Sequence, residues 1–316
     1  MNKFIIKTFL FIIPLLILVI IAEVLLRHIP NEYSYKKEYL DKNAQDIETL
    51  ILGSSHTYGG LNPKYFSSNT FNAGHNGQLF YYDKKIFDKY KNDLINLKTI
   101  IIPIGYPSFW GNYETMPVSA HTVDYIAYGF YTKSIKSSLN LFARNPIKNL
   151  RRFMNYYIKE NSNIACTKLG WSTFFNSQLD LEKTAFSTLK WHTIENIKSE
   201  ENNRIFKENV AILRSIIEWC QNNDVKVMLF TLPAYKTYRN NLSTEQWSIT
   251  VNKASEIAEE FNNCIYLNLI ADKNYLAKDF WDSSHLSTFG AEKLSHFMDS
   301  IVRVDIKART HNILYK

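Results

Sequence analysis

Residues 8–22 read TFLFIIPLLILVIIA, and with 4–6 before them and 24–26 after them the apolar stretch nears the ~20 residues that a bilayer core requires. Such a run leaves two options, a spanning helix or a cleaved leader. The run is long and no small-x-small cleavage site precedes Arg27, which favours an uncleaved anchor. Lys3 and Lys7 place the amino terminus in the cytoplasm and the bulk of the chain outside, although Arg27, Lys36 and Lys37 reduce the asymmetry. Pro14 is tolerable inside a bilayer helix, and Glu23 lies near the outer end, where its carboxylate can reach the interface. The expected plan is therefore a single-pass anchor over residues 1–30 in the cytoplasmic (inner) membrane, with one domain over 31–316 on the extracytoplasmic side.

The rest of the chain has globular composition. Apolar residues make up 46% and charged residues 21% of its 316 positions, close to ordinary globular averages, which suggest neither a disordered chain nor a multi-span membrane protein. The net charge of +7 does not by itself name a partner. With no zinc-finger spacing, no RNP-like strand and no long basic run, nucleic acid is not an expected ligand. Cys166, Cys220 and Cys264 lie far apart without C-x-x-C spacing, which argues against a structural metal and a disulfide scaffold; one bridge stays open. Cys220 and Cys264 sit in a helical and a strand pattern and read as buried free thiols. No H-x-x-x-H, Walker or dinucleotide glycine motif occurs, so neither metal nor cofactor is expected.

Beyond a polar stretch at 31–46, short apolar runs alternate with amphipathic helices. The strand candidates are 48–52 (ETLIL), 70–72, 99–104 (TIIIPI), 225–231 (VKVMLFT) and 264–269 (CIYLNL). Helical spacing recurs at 79–90, 206–220, 246–261 and 288–299. This alternation predicts an α/β domain with a central parallel sheet and helices on both faces. Residues from about 112 to 203 break the alternation and read as a helical insertion. Within it Arg144, Lys148, Arg151 and Arg152 form a basic cluster on a plausible helix; a solvated face is the commoner role, an anionic membrane surface or acidic glycan the sharper one.

Two segments carry chemistry. The first strand runs into Gly53-Ser54-Ser55-His56-Thr57, placing a serine on a glycine-flanked turn at a carboxyl strand end, where α/β sheets bind ligands. Near the other end, Asp282 and His285 are three apart on a loop. That spacing lets the carboxylate reach Nδ1 and leaves Nε2 to accept a serine proton. Taken singly, Gly-Ser-Ser is equally a structural turn and D-x-x-H equally a helix cap.

Together these blocks resemble the first and last motif blocks of the SGNH (GDSL-like) hydrolases. Between them, Asn72-Ala73-Gly74-His75-Asn76-Gly77 resembles the block whose glycine donates an oxyanion N–H, with Gly77 at the matching position and Asn76 beside it. The resemblance covers roughly 48–111 and 203–300. It implies a flavodoxin-like three-layer sandwich with Ser55 as nucleophile, His285 as base, Asp282 orienting it, and Ser55 and Gly77 amides holding the oxyanion. One departure is plain: where family members carry G-x-N-D, this chain reads Gly105-Tyr106-Pro107-Ser108, so the donor asparagine is absent, with Ser108, Asn112 or His56 as substitutes. The Tyr106–Trp110 run looks similar to that of the anchored D-alanyl transfer proteins of the same broad group. The implied function is esterase or O-acyltransferase work on an acylated cell-envelope polysaccharide or acyl donor, with a multi-span acyltransferase as partner if the reaction is transfer. The rival is a catalytically inactive envelope protein that keeps the fold to bind glycan or a membrane partner. His56 and His75 are expected beside the substrate, whereas His121, His192, His296 and His311 read as surface or core histidines.

Overall fold

A computed structural model of the chain describes residues 2–112, 123–131, 138–175 and 177–303. It divides into two compact units, Met1–Glu38 with Thr115–Ala165, and Tyr39–Glu114 with Cys166–Lys316. His121 and His311 lie outside the described residues.

In the first unit, α1 (Asn2–His28) is the apolar helix, long enough to cross a bilayer. Its side chains stay exposed along its length, Phe11 at 70% and Leu18 at 61%, which no soluble core helix would allow. Glu23 and Leu26, near its carboxyl end, are buried. The Glu23 carboxylate accepts from Arg27 Nε and from the amides of Asn140 and Leu141. A short helix α5 (Asn140–Ala143) supplies those amides, and α6 (Pro146–Phe153) follows, continuing as a π turn over Met154–Ile158. Between these pieces Arg144 and Asp124 form a buried ion pair. The basic cluster expected on one helix face is thus split: Arg144 precedes α6 and is buried with Asp124, and Arg152 donates to Asn140 Oδ1, leaving only Lys148 and Arg151 exposed on α6.

The polar stretch at 31–46 is a helix, α2 (Glu32–Asn43), which the sequence pattern did not reveal. Its buried positions are Tyr33, Lys36 and Leu40. A lysine on the inward stripe breaks the apolar periodicity that would have marked it.

The second unit is built on five strands, β1 (Thr49–Ile51), β2 (Thr70–Asn72), β3 (Thr99–Pro103), β4 (Lys226–Thr231) and β5 (Cys264–Asn268). All pairs are parallel, in the order β2-β1-β3-β4-β5. This is the flavodoxin-like doubly wound order that was expected. Every residue of β1, β2 and β3 is buried, as a parallel sheet covered on both faces requires. One row, Ile51–Ile101–Met228–Ile265, runs across the sheet. It packs with Leu286, Leu294 and Met298, the last two from α11 (Thr288–Val302). Each such fully buried side chain contributes about 1.5–3 kcal/mol. By the pleat, the alternate row faces the other layer, formed by α4 (Phe80–Tyr90), α8 (Glu200–Asn222) and α10 (Thr244–Glu260). Phe87 of α4 meets Trp219 of α8 edge-on, and Arg214 of α8 pairs with Glu260 of α10. Cys220 and Cys264 are buried and free as expected, and burial pushes both thiols well up.

The insertion is helical only in part. Besides α5 and α6 it holds α7 (Leu181–His192), but residues 159–175 and 177–180 are irregular, with Gly170 in a left-handed turn (φ 83°) and a lone bridge between Cys166 and Ser172. From Cys166 on, this stretch belongs to the sheet unit, where Leu169 O accepts from Asn72 N and Trp171 Nε1 donates to Gly59 O.

Candidate active site

The strand order reverses between β1 and β3, so the crevice for a ligand opens at the carboxyl ends of those two strands. Two residues past β1 lies Gly53, whose φ of +108° and close approach to Pro103 leave no room for a side chain. The turn delivers Ser54 as N-cap and Ser55 as the first residue of the short helix α3 (Ser55–Gly60). Gly53 N donates to the buried Asp83 carboxylate at 2.7 Å, and Gly53 O accepts from His75 N at 3.1 Å. Gln78 Nε2 donates to the same Asp83 oxygen. The turn at Gly53 and the loop after β2 are therefore tied through one carboxylate. Burial, only partly offset by these two donors, pushes Asp83 up to about 7.

The loop after the short turn at 277–279 brings the second half of the site. Trp281 N donates to His285 O, and Phe280 pairs with Leu286, closing a tight loop over 280–286. Inside it Asp282 Oδ1 accepts from the amides of Ser284 (2.8 Å) and His285 (2.7 Å), and both its oxygens lie 3.0 Å from His285 Nδ1. His285 Nε2 is 2.8 Å from Ser55 Oγ. Because the carboxylate only accepts, Nδ1 carries the proton, Nε2 is the acceptor, and the Ser55 hydroxyl donates to it. Burial alone would raise Asp282. The hydrogen bond and charge of His285 and the two amides outweigh it and hold Asp282 down to about 2.

The remaining sequence candidates are distributed unevenly around this core. His56 stacks on His285, centroids 4.8 Å apart at 12°, with Nδ1 3.2 Å from Ser54 Oγ. Ser108 Oγ accepts from Gly105 N at 2.8 Å and closes the turn after β3; a Cβ on Gly105 would lie 3.8 Å from His56 Nδ1, so this turn borders the histidine. In the block that lacks its asparagine, the third position is Pro107, which offers no donor at all. Asn112 lies two residues past the 3-10 turn Ser108–Trp110. Asn76 is half-buried and Gly77 exposed, at a left-handed φ of 64°, on the loop after β2. Neither makes a hydrogen bond to Ser55 or His285. His75, expected beside the substrate, is fully buried on the loop after β2, its ring 6.2 Å from that of Tyr58 and its amide donating to Gly53 O.

Phe175 and Ser284, which the sequence did not flag, complete the surroundings together with Trp281 and His192. Phe175, from the irregular stretch, stacks on His285 at 5.4 Å and 17°, and Trp281 meets the same ring edge-on at 6.0 Å. His285 is thus flanked by two near-parallel rings, His56 and Phe175. Ser284 Oγ lies 3.2 Å from His285 Nδ1 and 3.3 Å from Asp282 Oδ1. His192, at the end of α7, meets His56 edge-on at 6.2 Å, with Nδ1 2.8 Å from Oη of Tyr238 in the short helix α9 (Lys236–Arg239). Burial first, then the nearby His285, pushes His192 down to about 4; burial, His285 and His192 push His56 well below its ordinary range. Both rings are thereby held towards the neutral form. Among the described residues no cluster of His, Cys, Asp and Glu could hold a metal ion.

A doubly wound α/β unit with a Ser–His–Asp chain of hydrogen bonds at its switch point is the fold and arrangement that the resemblance to SGNH hydrolases implies. No family model and no curated protein matches the chain. Solved structures do. A GDSL-like lipase from Bacteroides thetaiotaomicron is 14% identical, with 86% of this chain and 98% of that one covered and a TM-score of 0.39. A catalytic mutant of Axe2, an acetylxylan esterase from Geobacillus stearothermophilus, is 12% identical, with 82% and 95% covered and a TM-score of 0.41.

Proposed function

We propose that this chain is a membrane-anchored serine esterase or O-acyltransferase whose nucleophile is Ser55. The observation that carries the proposal is the unbroken contact series from Ser55 Oγ to His285 Nε2 (2.8 Å) and from His285 Nδ1 to Asp282 (3.0 Å). Ser55 Oγ attacks the acyl carbon of an ester while His285 Nε2 takes its proton, and the imidazolium so formed is stabilised by the ionised Asp282. The alcohol leaves with that proton. Water or a second hydroxyl then resolves the acyl-enzyme, with His285 again as base. The Ser55 and Gly77 amides are the proposed oxyanion donors, supported by their positions in the motif blocks; Ser108 and His56 are the candidates to stand in for the missing asparagine.

The substrate class that fits is an O-acylated polysaccharide of the cell envelope, or an acyl donor for it. The exposed apolar helix and the resemblance to anchored transfer proteins support an extracytoplasmic site on the cytoplasmic membrane. The second reading, a silent binder, is favoured by Pro107 in place of a donor, since one lost oxyanion donor costs about 2.7–4 kcal/mol of activation free energy. A serine-directed fluorophosphonate separates the two. Labelling and ester turnover by the intact chain, both lost in Ser55→Ala and His285→Ala, support the enzyme. A folded chain that neither labels nor turns over, and whose cellular role survives Ser55→Ala, leaves the binder.

A further inference from the structure

The helix from Pro146 to Ile158 is inside out. Its inward side carries Asn149, buried and donating to Asn140 O at 2.8 Å, and Arg152, donating to Asn140 Oδ1. Its outward side carries Ile147, Leu150, Met154 and Ile158, exposed at 60%, 61%, 40% and 61%. The spacings of three, four and four put these four on one ridge. A helix facing water has the opposite arrangement. Lys148 and Arg151, both exposed, are the remaining charges on the outward side.

The same helix is fastened to the apolar one. Tyr157 Oη donates to Leu25 O at 2.9 Å, and Asn140, which accepts from Asn149 and Arg152, donates through its amide to Glu23. Leu25 lies two residues before Arg27, where the apolar run ends. The ridge is therefore held at the level at which α1 leaves the hydrocarbon, beside a surface that α1 itself must enter.

We propose that residues 146–158 form an interfacial helix that lies on the outer membrane leaflet, its Ile147–Leu150–Met154–Ile158 ridge in the acyl boundary and Lys148 and Arg151 at anionic headgroups. The proposal rests on α1 as a spanning helix. The occupant is lipid because the ridge continues the lipid-facing surface of α1, and the basic pair complements acidic headgroups. The first unit then holds the membrane by two elements, a span and a float, and α1 cannot tilt or rotate without dragging the second.

The test uses the full-length chain in vesicles of phosphatidylcholine and phosphatidylglycerol, carrying an environment-sensitive fluorophore on Leu16→Cys, Leu150→Cys or Ile95→Cys. The unsubstituted chain serves as blank, since Cys220 and Cys264 are buried and Cys166 half-buried. Lipids with a nitroxide near the headgroup end of the acyl chain act as quencher. The expected result is quenching at Leu150 at least half as strong as at Leu16, and none at exposed Ile95. Quenching at Leu16 without quenching at Leu150 overturns the interfacial helix and leaves the anchor standing. Absence of quenching at Leu16 overturns the anchor itself, and the proposal with it. A Leu150 signal that is insensitive to the nitroxide but rises with protein-to-lipid ratio means that a second copy covers the ridge, and also overturns it.

Discussion

Asp282 accepts two backbone amides before it meets the imidazole, so the carboxylate is fixed by its own loop and His285 is aligned on it. Asp282→Asn keeps the shape but offers Nδ1 a group that can also donate, which permits the wrong tautomer. Turnover is expected to fall by about 10⁴-fold with the fold retained, read as kcat beside a melting curve; a loss under tenfold would remove Asp282 from the mechanism. The linked stability has a sign. Asp282 is held below its ordinary 3.8, so its contribution is present above that value and is lost as pH falls towards about 2. Asp83 runs the other way. Its folded value of about 7 against an ordinary 3.8 means the native state is favoured while the group is protonated and is progressively penalised as pH rises from about 4 to about 7. Asp83 Oδ1 accepts both Gly53 N and Gln78 Nε2, and an asparagine oxygen can accept both. Asp83→Asn should therefore keep activity and gain stability relative to the parent across that interval, the difference levelling off above pH 7. Denaturant midpoints at pH 5 and 8 measure it, and an equal difference at both would show that Asp83 does not titrate there. Residues such as Ser55, Asp282 and His285 were legible because each half of the site is local in sequence. Asp83 was not, since its partner Gly53 is thirty positions away and an aspartate on an amphipathic helix reads as solvated.

The elements bear out the α/β alternation, and they miss where burial overrides pattern. β1 and β2 are only three residues long and wholly buried, so period-two alternation never appears; apolar run and flanking turn were the readable signals. α2 was hidden by buried Lys36, and the stretch at 159–180 by aromatic residues whose spacing carries no period. That stretch matters most, because it supplies Phe175. A Cβ on Gly59 of α3 would fall 2.3 Å from the Phe175 ring, so the ring rests where a side chain would stand. Gly59→Ala must displace Phe175, which in turn stacks on His285. The expected result is a stability loss of about 1–3 kcal/mol together with a drop in kcat, while Gly59→Ala combined with Phe175→Leu recovers stability but not turnover. Equal kcat in parent and Gly59→Ala would show that the ring contact is packing alone.

At the scale of the whole molecule, the apolar run constrained more than any motif, since it fixes what the first unit must do with Glu23 and the chain around it. A carboxylate near the end of a spanning helix is costly unless satisfied, and here Arg27 and two amides satisfy it, all from the first unit. Sequence alone predicted a helix long and apolar enough to span; it could not predict that the insertion returns to cap that carboxylate, because the contact joins residues more than a hundred positions apart. The proposed direction of insertion rests on Lys3 and Lys7, the positive residues before the run. A membrane-impermeant maleimide tests it in intact cells. Ile95→Cys, in the sheet unit and 73% exposed, is expected to react from outside, above the background of the unsubstituted chain. Lys3→Cys is expected to react only after permeabilisation. If the two exchange behaviour, the sheet unit is cytoplasmic, Arg27, Lys36 and Lys37 have outweighed the first two lysines, and the acyl ester must be sought among cytoplasmic substrates instead of the envelope.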